Sequence, residues 1–221
     1  EQPSTINDFF DLEKFPGKRG VHTWGNGIVE MALYASGVAI PDIYDVLDTQ
    51  EGQDMVFAKL DTIKDSVVFW SSGAKPLDLV NSGEVSMSLA YNGRIGGAVL
   101  ADGADYVTVW DGQVLEEEWL VLMNGAPNRA AAIHFLIHAS ATEQQAGQAR
   151  WINYAPMRPS ALPIMAAGEP WFNPGLATEA NIMEHMPTTD EHMKGGILAN
   201  PDWWADNGQA VNDRYAAWMA N

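Results

Sequence analysis

The sequence predicts an α/β fold, and three observations predict it. Val67-Val68-Phe69-Trp70 is an apolar run of the kind buried on both faces of a parallel sheet. A helical stretch from Lys75 to Asn81 and a second apolar run, Val85 to Tyr91, follow it, and this strand–helix–strand alternation marks helices layered on a sheet. The apolar runs also stop at polar residues, at Tyr91-Asn92-Gly93-Arg94 and again before Asn128. In open α/β sheets ligands gather beyond the carboxyl ends of strands, so those ends are where function is sought.

The elements follow in order. Ile6 to Lys18 reads as a connector that mixes aromatic and acidic residues before a Pro16-Gly17 turn. Arg19 to Trp24 is a short strand. Trp24-Gly25-Asn26-Gly27 breaks it and caps a helix carried by Ile28, Met31, Ala32 and Ala35, which Gly37 stops. Pro41 to Leu47 and Gln53 to Lys64 are further helices. After Tyr91 a polar connection leads to a strand at Tyr106–Trp110, a Gly112 turn, and a strand from Glu116 to Leu122. Asn128 then caps a helix over Arg129–Ala139 whose stripe is Ala132, Ile133, Leu136 and Ile137. Ala141 to Arg150 is helical too. Tyr154 to Pro159 holds two prolines and is extended or turn. The last helix has Asn200 as N-cap, Pro201 at its first position and Asp202 on its dipole, and runs to Met219.

Composition excludes several classes. The chain has 221 residues, enough for one large domain or two small ones, and 47% apolar residues can fill a core. There is no cysteine, so disulfides and thiolate-held metals are excluded. The net charge of −17, with no basic cluster beyond Lys18-Arg19, argues against nucleic acid and anionic membranes. No run approaches the roughly 18 apolar residues of a membrane span. Glu1-Gln2-Pro3-Ser4 does not read as a signal peptide.

Glu116 and Glu118 share one face of a strand, with Glu117 on the other. Two acids on one face repel unless a cation or an amine ligand lies between them. The alternatives are a solvated edge, or the carboxylate pair of an acid-dependent hydrolase. A pure interaction module using the acidic surface is a further alternative. Arg94, just after an Asn-Gly, can hold a carboxylate bidentately or make a surface ion pair. His134 and His138 have metal-ligand spacing but no accompanying Glu and no third ligand, so no metal or other cofactor is expected.

Four segments together carry a resemblance over essentially the whole chain. They are Asn7-Asp8-Phe9-Phe10-Asp11-Leu12-Glu13-Lys14-Phe15-Pro16-Gly17-Lys18, Ala90-Tyr91-Asn92-Gly93-Arg94, Gly125-Ala126-Pro127-Asn128, and Asn200-Pro201-Asp202-Trp203-Trp204-Ala205-Asp206-Asn207. The chain resembles the periplasmic substrate-binding proteins of ABC transporters, in their spermidine/putrescine-binding branch. The resemblance implies a type II periplasmic binding fold: two α/β lobes of mixed sheets and flanking helices, with the ligand in the cleft between them. It implies a crossover connector at 1–16, a second lobe from 17–98 and 172–221, and at 102–171 the returning part of a first lobe. That first lobe is expected to be incomplete, as if about a third of a family member were missing ahead of residue 1, and its apolar surface is expected to self-associate or aggregate. By the same resemblance the ligand contacts are Tyr91, Asn92, Arg94, Glu116, Glu118, Tyr154, Trp24 and Asn26. Tyr91 packs on a methylene chain and Glu118 holds an ammonium. Glu116 departs from an aromatic in the family pattern, and Arg94 from a second acid. Arg94 and Glu118 would suit a zwitterion, so an ω-amino acid is expected first and a polyamine next. The expected partners are that small ligand and an ABC permease, with no enzymatic activity.

Overall fold

The computed structural model describes residues 1–149, 151–167 and 182–220, with the backbone alone of 172–173 and 176–177. The lobe boundary expected at 171–172 falls outside the fully described residues.

The chain opens with helix α1 (Ile6–Phe10) rather than a plain connector. Ile6, Phe9 and Phe10 are buried in the main core, so tertiary burial makes this short aromatic segment helical. Asp8 accepts the Ser4 and Thr5 N–H groups at 2.8 and 3.0 Å, and these bonds hold its carboxyl below the usual carboxylate range.

Strand β1 (Arg19–His22) is buried at every residue. Helices α2 (Ile28–Ala35), α3 (Ile43–Leu47) and α4 (Gln50–Asp61) follow, then strand β2 (Val67–Trp70), helix α5 (Lys75–Asn81) and strand β3 (Met87–Ser88). The sheet is parallel throughout, in the order β2-β1-β3. Arg19 stands opposite Val67 and Met87, and His22 opposite Trp70. The buried Arg19 guanidinium donates to the carbonyls of Phe9, Asp11, Phe15 and Gly17 and to Ser86 Oγ, at 2.6–3.2 Å. Five oxygens offset the cost of burying that cation and tie the opening segment to the sheet.

The run from Val85 is a strand for only two residues, and the following "polar connection" is helix α6 (Asn92–Asp102). Strand β4 (Val114–Leu115) is equally short, and neither Tyr106–Trp110 nor Glu116–Leu122 is a strand. A strand needs a hydrogen-bonded neighbour, and none of the described residues pairs with either stretch. Glu116 and Glu118 therefore lie on irregular exposed backbone.

Helices α7 (Arg129–Ala139), α8 (Thr142–Gln148) and α9 (Leu162–Ala166) follow, then a small antiparallel pair of β5 (Phe172–Asn173) and β6 (Leu176–Ala177). Strand β7 (Ile197–Leu198) runs parallel to β4 and leads into the long helix α10 (Pro201–Ala220). Asn200 caps it as expected, its Oδ1 accepting the Trp203 N–H at 3.0 Å.

The main core joins β1, α1, α2 and α4 to Val211, Tyr215 and Trp218 of α10. A second, smaller core gathers Leu100 of α6, Ala146 of α8 and Met165 of α9 with Ile182 and Met186. Helix α7 buries no residue in either. Its Phe135 and Ile137 are 60% and 67% exposed, and Trp119, Leu120, Val121 and Met123 are exposed as well, so one stretch of chain concentrates bare apolar surface among the described residues.

Candidate functional site

The ends of β1, β2 and β3 meet where α2 and α6 begin. After His22 the chain bends through Trp24 to Gly27. The Gly25 N–H donates to Asn212 of α10 at 2.7 Å, and the Gly27 N–H to Glu30 at 2.7 Å. Gly27 has φ of 88°, which glycine adopts without strain. The bend carries Asn26 to the far segment, where its side-chain N–H donates to Glu116 Oε1 at 2.9 Å.

An aromatic row lines the strand ends. Trp24 stacks on His22 with centroids 4.5 Å apart, Trp70 meets both edge-on at 5.4 Å, and Tyr91 meets Trp70 at 6.3 Å. Burial pushes the His22 imidazole down to about 4, so it is neutral at pH 7. Among the described residues, three buried polar atoms have no partner: His22 Nδ1, Trp70 Nε1 and Asn153 Oδ1. All three belong to residues that flank this place.

Tyr91 is the N-cap residue of α6 and 40% exposed. Its hydroxyl pKa is raised, first by burial and then by the charges of Glu116, Tyr154 and Glu118. These four residues therefore share one electrostatic neighbourhood. Tyr154 reaches it because α6 is bare where the ring lands: a Cβ on Gly93 would stand 2.5 Å from the Tyr154 ring, and one on Gly96 would collide with the Asn153 amide. Asn92 and Asn153 lock the contact reciprocally, each side-chain N–H donating to the other's carbonyl, at 2.7 and 3.0 Å. The Asn92 amide is thus engaged with the chain itself.

The structure brings together Trp24, Asn26, Tyr91, Glu116, Glu118 and Tyr154, with Asn92 supporting Tyr154. Arg94 is placed differently from its expected loop position: it is in the first turn of α6, exposed, with no ion pair among the described residues. Three neighbours escaped sequence reading. Trp70 and His22 lie in runs read as strands, and Glu30 was not singled out, although its place three residues after Gly27 is the spacing of a helix-capping acid. His134 and His138 are exposed on α7, and no group of three metal-ligating side chains occurs among the described residues.

Residues 1–178 match the family model described as bacterial extracellular solute-binding protein. A γ-aminobutyric acid-binding protein from Pseudomonas aeruginosa is 33% identical over 218 residues; the match covers 99% of this chain and 58% of that protein. An ABC transporter substrate-binding protein from Bradyrhizobium japonicum superposes with a TM-score of 0.81 at 32% identity, over 99% of this chain and 63% of that one. A structure described as a GABA receptor gives a TM-score of 0.78 at 30% identity, over 99% and 62%. The fold is thus that of a periplasmic binding protein, α/β with parallel sheet and flanking helices, and the chain spans about three fifths of these relatives' length.

Proposed function

The chain belongs to the family of bacterial extracellular solute-binding proteins, and from that premise we propose that it is part of the solute-binding component of an ABC importer, at work in the periplasm. The ligand we propose is a small amine-bearing compound, an ω-amino acid such as γ-aminobutyrate first and a polyamine second. One observation carries this reading: the 2.9 Å bond from Asn26 to Glu116 brings the acidic stretch of Glu116 and Glu118 to the bend beside the Trp24, Trp70 and Tyr91 row. Paired carboxylates beside an aromatic face attract an ammonium group, by charge and by the ring quadrupole. Tyr91 and Trp24 offer faces for its methylene chain.

The other end of the ligand would meet Arg94 and the positive end of α6. Both favour a carboxylate. A diamine would bring a second ammonium there and be repelled, which ranks polyamines second. The relatives named for γ-aminobutyrate support the same order.

The lobes we assign are 17–98 with 172–221, and 102–171, joined through the connector at 1–16. Ligand binding would close them by a hinge, and the permease would read the closed form. The ligand drives closure only if it binds the closed state better.

A thermal-shift panel tests the ligand class: γ-aminobutyrate, putrescine, spermidine, a plain dicarboxylate and simple sugars. Ligand at about a hundred times its dissociation constant adds about 2.7 kcal/mol. γ-Aminobutyrate should raise Tm by several degrees, with no product formed. A shift with sugars alone contradicts the reading.

A further inference from the structure

Glu30 is the one acid of α2, and it is wholly buried. Its Oε1 accepts the Tyr44 hydroxyl at 2.9 Å and the Trp204 indole N–H at 2.7 Å. Its Oε2 accepts the Gly27 N–H at 2.7 Å. The Tyr44 oxygen in turn accepts the Asn200 N–H at 2.8 Å, where α10 begins. A single carboxylate thus joins the bend that carries Asn26 to α3 and to the head of the last helix.

A buried carboxylate is costly unless its lone pairs are filled, and an apolar residue would serve the core better. Those bonds must therefore do more than fill space. Oε2 has one donor to satisfy, and that donor is the residue next to Asn26. We infer that Glu30 is a positioning residue of the ligand site: by holding Gly27 it fixes the direction in which Asn26 reaches Glu116, and so fixes the carboxylate that faces the ligand. This rests on Glu116 belonging to the site proposed above.

The two oxygens have separate partners, so the role is separable from general stability. In Glu30→Gln the carbonyl stays with the two donors at Oε1, and the amide N–H then faces the Gly27 N–H, donor against donor. Tyr44→Phe removes a donor at Oε1 and leaves Gly27 held. The readout is the Asn26 side-chain amide resonance by nitrogen–proton NMR, without ligand. It should move and lose its solvent protection in E30Q, and stay in place in Y44F at comparable loss of Tm. γ-Aminobutyrate affinity should fall by up to about fivefold in E30Q, the loss expected for Asn26→Ala itself, and less than twofold in Y44F, and in an Asn26→Ala background E30Q should cost no further affinity.

An unmoved Asn26 resonance in E30Q overturns the inference, as does an equal shift in both variants. If E30Q does not fold, the unmutated chain decides: its Gly27 amide should resist hydrogen exchange, and free exchange would overturn the inference. Failure of γ-aminobutyrate to bind at all would count against the proposed ligand, while the ligand-free resonances still decide the role of Glu30.

Discussion

Asn26 and Glu116, ninety positions apart in sequence, are joined by a 2.9 Å hydrogen bond between their side chains. The bond links the start of α2 to the irregular stretch after β4 and orients one of the two acids beside Tyr91. Asn26→Ala removes it without removing charge. γ-Aminobutyrate affinity should then fall about fivefold, the order of one net hydrogen bond of roughly 1 kcal/mol. Isothermal titration checks this, and unchanged affinity would mean that Glu116 is oriented by something else.

In the site proposed above, Arg94 is the residue that would separate the two ligand classes. It is exposed in the first turn of α6, so its loss should leave stability almost unchanged. Arg94→Ala should sharply weaken γ-aminobutyrate and spare or improve putrescine. Equal loss of both in a competition assay would remove Arg94 from any role in the carboxylate end.

Gly93→Ala tests how Tyr154 is seated. The new methyl would press into the ring, so Tyr154 must withdraw or α6 must shift. Alanine favours a helix by about 1 kcal/mol over glycine, yet here the change should lower Tm, because overpacking costs about 1–3 kcal/mol. A raised Tm by scanning calorimetry would show that Tyr154 has room.

His22 sets a pH dependence. Its imidazole titrates ordinarily at 6.5 and here at about 4, because burial disfavours the charged form. Between these values the unfolded chain binds the proton and the folded chain does not. Stability should therefore be fully present above about pH 7 and fall as pH drops from 6.5 toward 4, by at most about 3 kcal/mol. His22→Gln should flatten that part of the Tm profile. An identical slope in the variant would place the titration elsewhere.

The bare apolar surface of α7 and of residues 119–123 should make this chain bind an apolar dye and self-associate. Charging the helix with Phe135→Lys and Ile137→Lys should cut both without lowering Tm. A dye-free monomer in sedimentation would contradict this.

Much of the fold was legible because its signals are local. Asn200-Pro201-Asp202 announces α10, and Asn128 announces α7, each with bounds close to those observed. Helix α6 was not legible, since Gly93, Gly96 and Gly97 depress helix propensity, and the Asn153-Tyr154 segment that lies on Gly93 and Gly96 is far away in sequence. Tyr106–Trp110 and Glu116–Leu122 have strand composition, yet composition cannot supply a neighbour to pair with. In the site, Tyr91, Glu116 and Glu118 could be picked out because polar and aromatic residues at run ends stand out, whereas Tyr154 came only from the family resemblance. Glu30 could not, because a buried acid amid an apolar helix looks like any exposed one until its three donors are seen.

The most direct measurement is calorimetric titration of the unmutated chain with γ-aminobutyrate and with its two halves, butylamine and butyrate. The proposed arrangement, with carboxylates at one end of the ligand and Arg94 at the other, predicts saturable binding of γ-aminobutyrate, with both halves at least tenfold weaker. Butylamine binding as tightly as γ-aminobutyrate, or no heat from γ-aminobutyrate at millimolar concentration, would contradict a site built for both charges.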